Sequence, residues 1–235
     1  MKKYFYLFFL LPFFSLNAQD VESVIDKYFK AINQDKLLKV QSIVSKGKIK
    51  QMGAELSLTI YQKRPDMVRV ESSFSGQNFI QTFDGKKGWN LNPFTGSTEP
   101  KEMTTEEAVQ AKDQADIDGF LYNYKAKGSV VTLLPDEELD GVNAHVISVM
   151  KADSSVIKSY INPENNFIVK TVMQMNGADI VSELKDYKDF DGIMMPSLIE
   201  TNVNGQVMMQ ITFDEVKFDQ DIPDSLFGKP EVSQQ

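Results

Sequence analysis

His145 is the single histidine of a 235-residue chain that contains no cysteine. An imidazole beside a serine and a carboxylate could run acyl transfer, but the nucleophile turn G-x-S-x-G is absent. A metal site built from imidazole and thiolate is excluded by the same scarcity. His145 stands between Ala144 and Val146 in a strand-like run, which suits packing or a surface position. Carboxylates are the other chemical candidates. Asp136-Glu137-Glu138 and Asp219-Gln220-Asp221 form clusters, and two acids can cleave a glycosidic bond. Nothing in their spacing selects a pair. Both clusters read as solvated turns, and neither has EF-hand spacing. Glycine-rich phosphate motifs are missing as well. The expectation is a protein without catalysis, metal or cofactor.

The apolar residues say more. Phe74, Phe79, Phe83, Phe94, Phe120, Phe167, Phe190 and Phe213 run through the chain. Methionines gather late, at Met150, Met173, Met175, Met194, Met195, Met208 and Met209. A methionine-rich wall adapts to ligands of varied shape, and ordinary core filling is the alternative.

These residues need elements to position them. Val21, Val24, Ile25, Tyr28, Phe29 and Ile32 draw one apolar stripe at helical spacing, with Asp20 as a candidate cap. Lys46-Gly47 and Met52-Gly53 bracket a short strand. The period then becomes two: Leu56, Leu58 and Ile60 face one way, and Ser57, Thr59 and Tyr61 the other. Further strands are predicted over 67–74, 78–83 and 89–91, separated by Pro65-Asp66 and Asp84-Gly85. Thr104 and Glu107 have capping-box spacing ahead of Ala108, Val109, Ala111 and Ala115, a helix with a small-residue face. Asp118-Gly119 ends it, and Phe120-Leu121-Tyr122 suggests one more helical turn. Strands follow over 130–134, 144–150, 156–161, 167–175, 180–187, 198–203 and 207–213. The turns Asp140-Gly141, Asn176-Gly177, Asp191-Gly192 and Asn204-Gly205 part them. The tail after Phe227 is polar and expected to fray. About ten or eleven antiparallel strands in one domain form a sheet wide enough to curl, with helices on its concave side.

The amino terminus has the order of a secretory signal. Lys2 and Lys3 precede an apolar run from Tyr4 to Phe14, and Ala18 offers a cleavage position before Gln19. The run is about half of the roughly 20 residues a membrane span needs, and Pro12 interrupts it. Residues 1–18 are therefore expected to be removed, leaving a single domain over 19–235. Without cysteine, neither a lipid anchor nor a disulfide is expected. The net charge of −8 argues against nucleic acid and against anionic headgroups held by bulk charge.

One stretch is more specific. Lys63-Arg64-Pro65 is followed by Asp84-Gly85-Lys86-Lys87-Gly88-Trp89-Asn90-Leu91-Asn92-Pro93-Phe94. In order and spacing these residues resemble the LolA family, periplasmic carriers of outer-membrane lipoproteins. The resemblance implies a half-open antiparallel β-barrel with an N-terminal helix and a helical lid over an apolar cavity. It implies that Arg64 hydrogen-bonds to the lid and holds the cavity closed. It also implies a soluble periplasmic carrier of lipoprotein or lipid acyl chains, served by an inner-membrane release transporter and an outer-membrane receptor. By alternation, Leu56, Leu58, Ile60, Val68, Val70, Phe79, Phe83 and Trp89 are the candidate cavity lining. A monomer is expected. The second half is longer and richer in turns than the family pattern, which leaves the cargo open. An envelope sensor or interaction module on the same fold is the alternative.

Overall fold

The computed structural model describes residues 16–51, 53–93, 99–175 and 177–231. The signal-like run to Phe14, Phe94 of the turn motif, and the turn residues Met52 and Asn176 lie outside the described residues. Strict alternation builds most of the chain into strands. The first half contributes β1 (Ser42–Gln51), β2 (Ala54–Lys63), β3 (Met67–Phe74), β4 (Gln77–Phe83), β5 (Gly88–Leu91) and β6 (Lys101–Glu102). The second contributes β7 (Val130–Leu139), β8 (Val142–Met150), β9 (Val156–Ile161), β10 (Ile168–Met175), β11 (Ala178–Phe190), β12 (Ile193–Val203) and β13 (Gln206–Phe218).

All thirteen form one antiparallel sheet in the order β6-β5-β4-β3-β2-β1-β13-β12-β11-β10-β9-β8-β7. Each half is a meander of hairpins. Asn204-Gly205, Asp140-Gly141 and Asp191-Gly192 have positive φ at both residues, the backbone that lets a two-residue turn follow the strand twist. The halves join where β1 pairs with β13, Ile49 opposite Ile211. β6 and β7 remain edges, so the sheet is an open, half-closed barrel.

Thirteen strands among the described residues exceed the ten or eleven expected; β6 was not foreseen, and three other strands run longer than expected, for local reasons. Gly47 is not a turn. It lies inside β1 at a register shift against β13, where a Cβ would stand 1.9 Å from the Thr212 carbonyl oxygen. The glycine permits the close approach and lets β1 run on. Asp136-Glu137-Glu138 is not a turn either: it continues β7 past a register shift between Leu134 and Glu137. β12 starts at Ile193 and passes through Pro196, because its pairing with β13 begins only at Leu198 and the strand is locally an edge before that.

Helices α1 (Leu16–Ile32), α2 (Gln34–Leu37) and α3 (Thr105–Ala115) cover one face of the sheet. α1 begins before Asp20, so that residue is inside the helix and does not cap it. Its stripe is buried as the spacing requires: Val21, Val24 and Ile25 pack with Ile147, Val149 and Ile161. Thr104 and Glu107 form the expected capping box of α3. Ala111 and Ala115 of that helix are fully buried against Val68 and Phe83. Residues 120–128 make successive turns and no further helix. The carboxyl-terminal segment crosses the other face of the sheet. Phe227 is fully buried there, Thr82 Oγ1 donates to Gly228 O at 3.0 Å, and the chain is held through the buried Pro230. Among the described residues no helix is long and apolar enough to cross a membrane.

Candidate functional site

Arg64 lies in the turn between β2 and β3, and three pieces of chain converge on it. Its Nε donates to Val40 O at 2.6 Å and Nη2 to Leu37 O at 3.3 Å, at the end of α2. Nη1 donates to Asp118 Oδ2 at 2.9 Å, and Nη2 reaches the other carboxylate oxygen, a two-pronged ion pair. Both side chains are about one-fifth exposed, at 22% and 20%. Donating to the Asp118 carboxylate raises the guanidinium further above its ordinary range against the opposing cost of burial. The backbone carbonyl of Asp118 accepts from Gln34 Nε2 at 3.0 Å. Lys127 ties the same loop down through Asp116 and Gly119 O. Asp118 thus latches the segment after α3 to α2 and to the β2–β3 turn.

α2 is fixed from its other end too. Asn33 adopts a left-handed conformation before it, and its Nδ2 donates to Gly192 O at 2.7 Å in the β11–β12 turn. Lys36 reaches Asp191 of that turn.

Beneath this latch is a hollow of about 160 Å³. α1 supplies Tyr28, Phe29 and Ile32, and α2 supplies Gln34 and Leu37. The loop after α3 supplies Ile117 to Leu121, and the sheet supplies Leu184, Tyr187 and Ile193 to Pro196. The wall is almost wholly aliphatic and aromatic. Burial pushes the Tyr28 phenol up to about 12 and raises that of Tyr187, so both stay neutral. A larger hollow of about 500 Å³ lies over β10, β11 and the β7–β8 turn, with Asn162, Asn165, Lys170 and Glu183 among its walls. Its mixed polar rim suits solvent. Leu184 and Tyr187 line both.

Leu184 of the pocket wall is also the end of an apolar floor on the sheet. Leu56, Ile49, Ile211, Ile199 and Leu184 stand directly opposite one another across β2, β1, β13, β12 and β11, and all are half-buried. Directly opposed residues share a face. Ile60 and Val70 pack under α3 at one end of this face, and Leu184 packs under α1 at the other. The row crosses four strand gaps, about 19 Å. A second row of Phe79, Ser72, Leu58, Gly47 and Phe213 runs beside it.

The sequence-predicted residues fall into three groups. Arg64 meets a lid segment. Leu56, Leu58, Ile60, Val68, Val70, Phe79 and Phe83 share the helix-bearing face by register. Trp89 stands opposite Thr82, whose hydroxyl meets the carboxyl-terminal segment, so it is on the other face of the sheet. None of the eight lines the pocket below the latch. Asp118 and Gln34, the partners that make the latch, had no signal beyond a helix break and a short polar run. Tyr28, Phe29 and Ile32 were visible in the helical stripe, and Met194 and Met195 in the methionine set.

The candidate chemical groups are engaged in surface pairs. His145 Nδ1 faces Asp136 Oδ1 at 3.1 Å. Glu137 accepts from Lys158 and Tyr160, which hold its carboxyl below the ordinary range. Among the described residues no three His, Asp or Glu side chains are grouped to hold a metal.

No family model matches the sequence, and no curated protein matches it. Solved structures do match the fold. A LolA superfamily protein from Nitrosomonas europaea superposes with a TM-score of 0.61 at 16% identity, over 92% of this chain and 99% of that one. A DUF1329 family protein from Desulfovibrio piger gives 0.58 at 12% identity, over 87% and 97%. A putative outer membrane lipoprotein-sorting protein domain from Vibrio parahaemolyticus gives 0.57 at 12% identity, also over 87% and 97%. The chain has a LolA-like fold.

Proposed function

We propose that the protein is a non-catalytic carrier that shelters acyl chains of lipoproteins or other lipids on the face beneath its helices. The observation that supports this reading is the apolar floor on the helix-bearing face beside a pocket covered by the Arg64–Asp118 latch. Moving hydrocarbon out of water is worth about 0.8 kcal/mol per CH₂, on the order of 12 kcal/mol gross for a chain of about 16 carbons. A carrier must offer a comparable refuge and still release its load. The 160 Å³ hollow is the size of a cavity that takes benzene, far short of such a chain. Loading therefore requires the segment after α3 to swing off the floor and then to close again over the cargo, and Arg64 and Asp118 set the resistance to that swing.

The signal-like amino terminus and the lipoprotein-sorting neighbour support a periplasmic setting, with cargo passing toward the outer membrane. A release transporter in the inner membrane and a receptor at the outer membrane are the partners this reading calls for. Lipid extraction and mass spectrometry of the protein purified from its native envelope test it, together with uptake of a fluorescent fatty-acyl probe. The expected result is co-purifying acyl lipid and saturable uptake of the probe. Protein that carries no lipid and leaves the probe in water would overturn the proposal.

A further inference from the structure

Gln34 is 3% exposed and lines the pocket below the latch, yet its Oε1 is buried without a hydrogen-bond partner. The orientation of the amide is fixed, because Nε2 donates to Asp118 O at 3.0 Å and a flip would set oxygen against oxygen. A buried acceptor of this kind calls for an explanation. A water would need two to four polar partners. Besides Oε1 the lining offers the Tyr28 hydroxyl; the Asp118 carboxylate is taken by Arg64, and the Tyr187 hydroxyl donates to Ile168 O at 2.8 Å.

We infer that Gln34 Oε1 is a recognition group for a neutral N–H or O–H donor carried at the head of the acyl chain. This rests on the carrier reading and names what part of the cargo the pocket selects. Charge decides against the other classes of headgroup. An anionic head would face the Gln34 lone pairs and the Asp118 carboxylate. An ammonium would find that carboxylate already neutralised by Arg64, and Tyr28 and Tyr187 neutral through burial. A neutral donor completes the bond that Oε1 lacks, and the desolvation of Oε1 is already complete in the empty protein.

The test compares three probes of equal chain length bound to the purified protein: hexadecanamide, hexadecanol and methyl hexadecanoate. The first two carry a donor and the ester carries none. Either donor probe is expected to bind about tenfold more tightly than the ester. The amide and alcohol arms tell an N–H source from an O–H source. In Gln34→Met, which keeps the volume of the side chain, the ratio of donor to ester affinity should fall to near one. Loosening the latch moves all three affinities together, so the ratio isolates this bond, and the wild-type ratio decides the matter even if the variant does not fold. Equal affinity for all three probes in the wild type overturns the inference and leaves the carrier reading standing. Failure of every probe to bind overturns both.

Discussion

The two helical covers of this sheet are built differently. Under α3 the helix presents Ala108, Ala111 and Ala115 to Val68 and Phe83, and the small side chains let it lie against β3 and β4 with its inner residues at 0% exposure. Under α1, α2 and the loop after α3 the facing groups are Tyr28, Phe29, Phe120, Tyr187 and Met195, which meet over a void. Small residues close a contact completely. Large planar and flexible ones leave irregular space that a guest can share. The first cover is packed as an anchor, and on the carrier reading the loop of the second is the lid.

The largest expected effect tests the anchor. Phe83→Ala removes a ring from the solid cluster and should cost about 3–5 kcal/mol. Met195→Ala removes atoms that already border the hollow and should cost clearly less. Urea midpoints of the two variants check this, and equal losses would erase the distinction.

Arg64→Leu comes next. It leaves the Asp118 carboxylate without its partner and should cost about 1–3 kcal/mol, concentrated in the lid. Hydrogen exchange should quicken at residues 117–121 and stay slow in α3. The protein should fold, and transfer of acyl cargo should be impaired. Wild-type transfer rates in this variant would remove Arg64 from the mechanism.

The smallest effect is acid loosening of the lid alone. Glu22 of α1 accepts from Tyr124 and Lys125, and these bonds hold its carboxyl below the ordinary 4.5. A lowered folded pKa means stability that is present above 4.5 and lost as pH falls through the folded value. Exchange at residues 121–125 should therefore rise on acidification below about 4.5. The packing of Ala108, Ala111 and Ala115 contains no ionisable group, and exchange at Ala111 and Ala115, away from the Glu107 cap, should not follow it. A parallel rise in both covers would contradict the contrast.

Much of the scaffold was legible because it rests on local rules. Alternation at Met67–Phe74 and Val156–Ile161 marked strands to the residue, and the Thr104–Glu107 box marked the start of α3. The extra strand length at Gly47, Asp136–Glu138 and Pro196 was not legible. Each of those residues has a turn-like composition, and only the pairing partner across the sheet makes it extended. The face of Trp89 was misjudged for the same reason: the residues flanking a four-residue strand do not say which side the carboxyl-terminal segment will cover.

What the sequence determined by itself is the β-rich class, the apolar stripe of α1, the capped α3, and Arg64 as the charged residue of a specific turn motif. These depend on neighbours within a few positions, where backbone geometry fixes which side chains share a face. The tertiary structure decided that Arg64 meets Asp118, 54 residues away, that Gln34 closes the same latch, and that the hollow lies against β11 and β12 and not β2 to β4. Those outcomes depend on how two meanders curl and on where the helices settle across them. Long-range packing sets that, and no period in the chain encodes it.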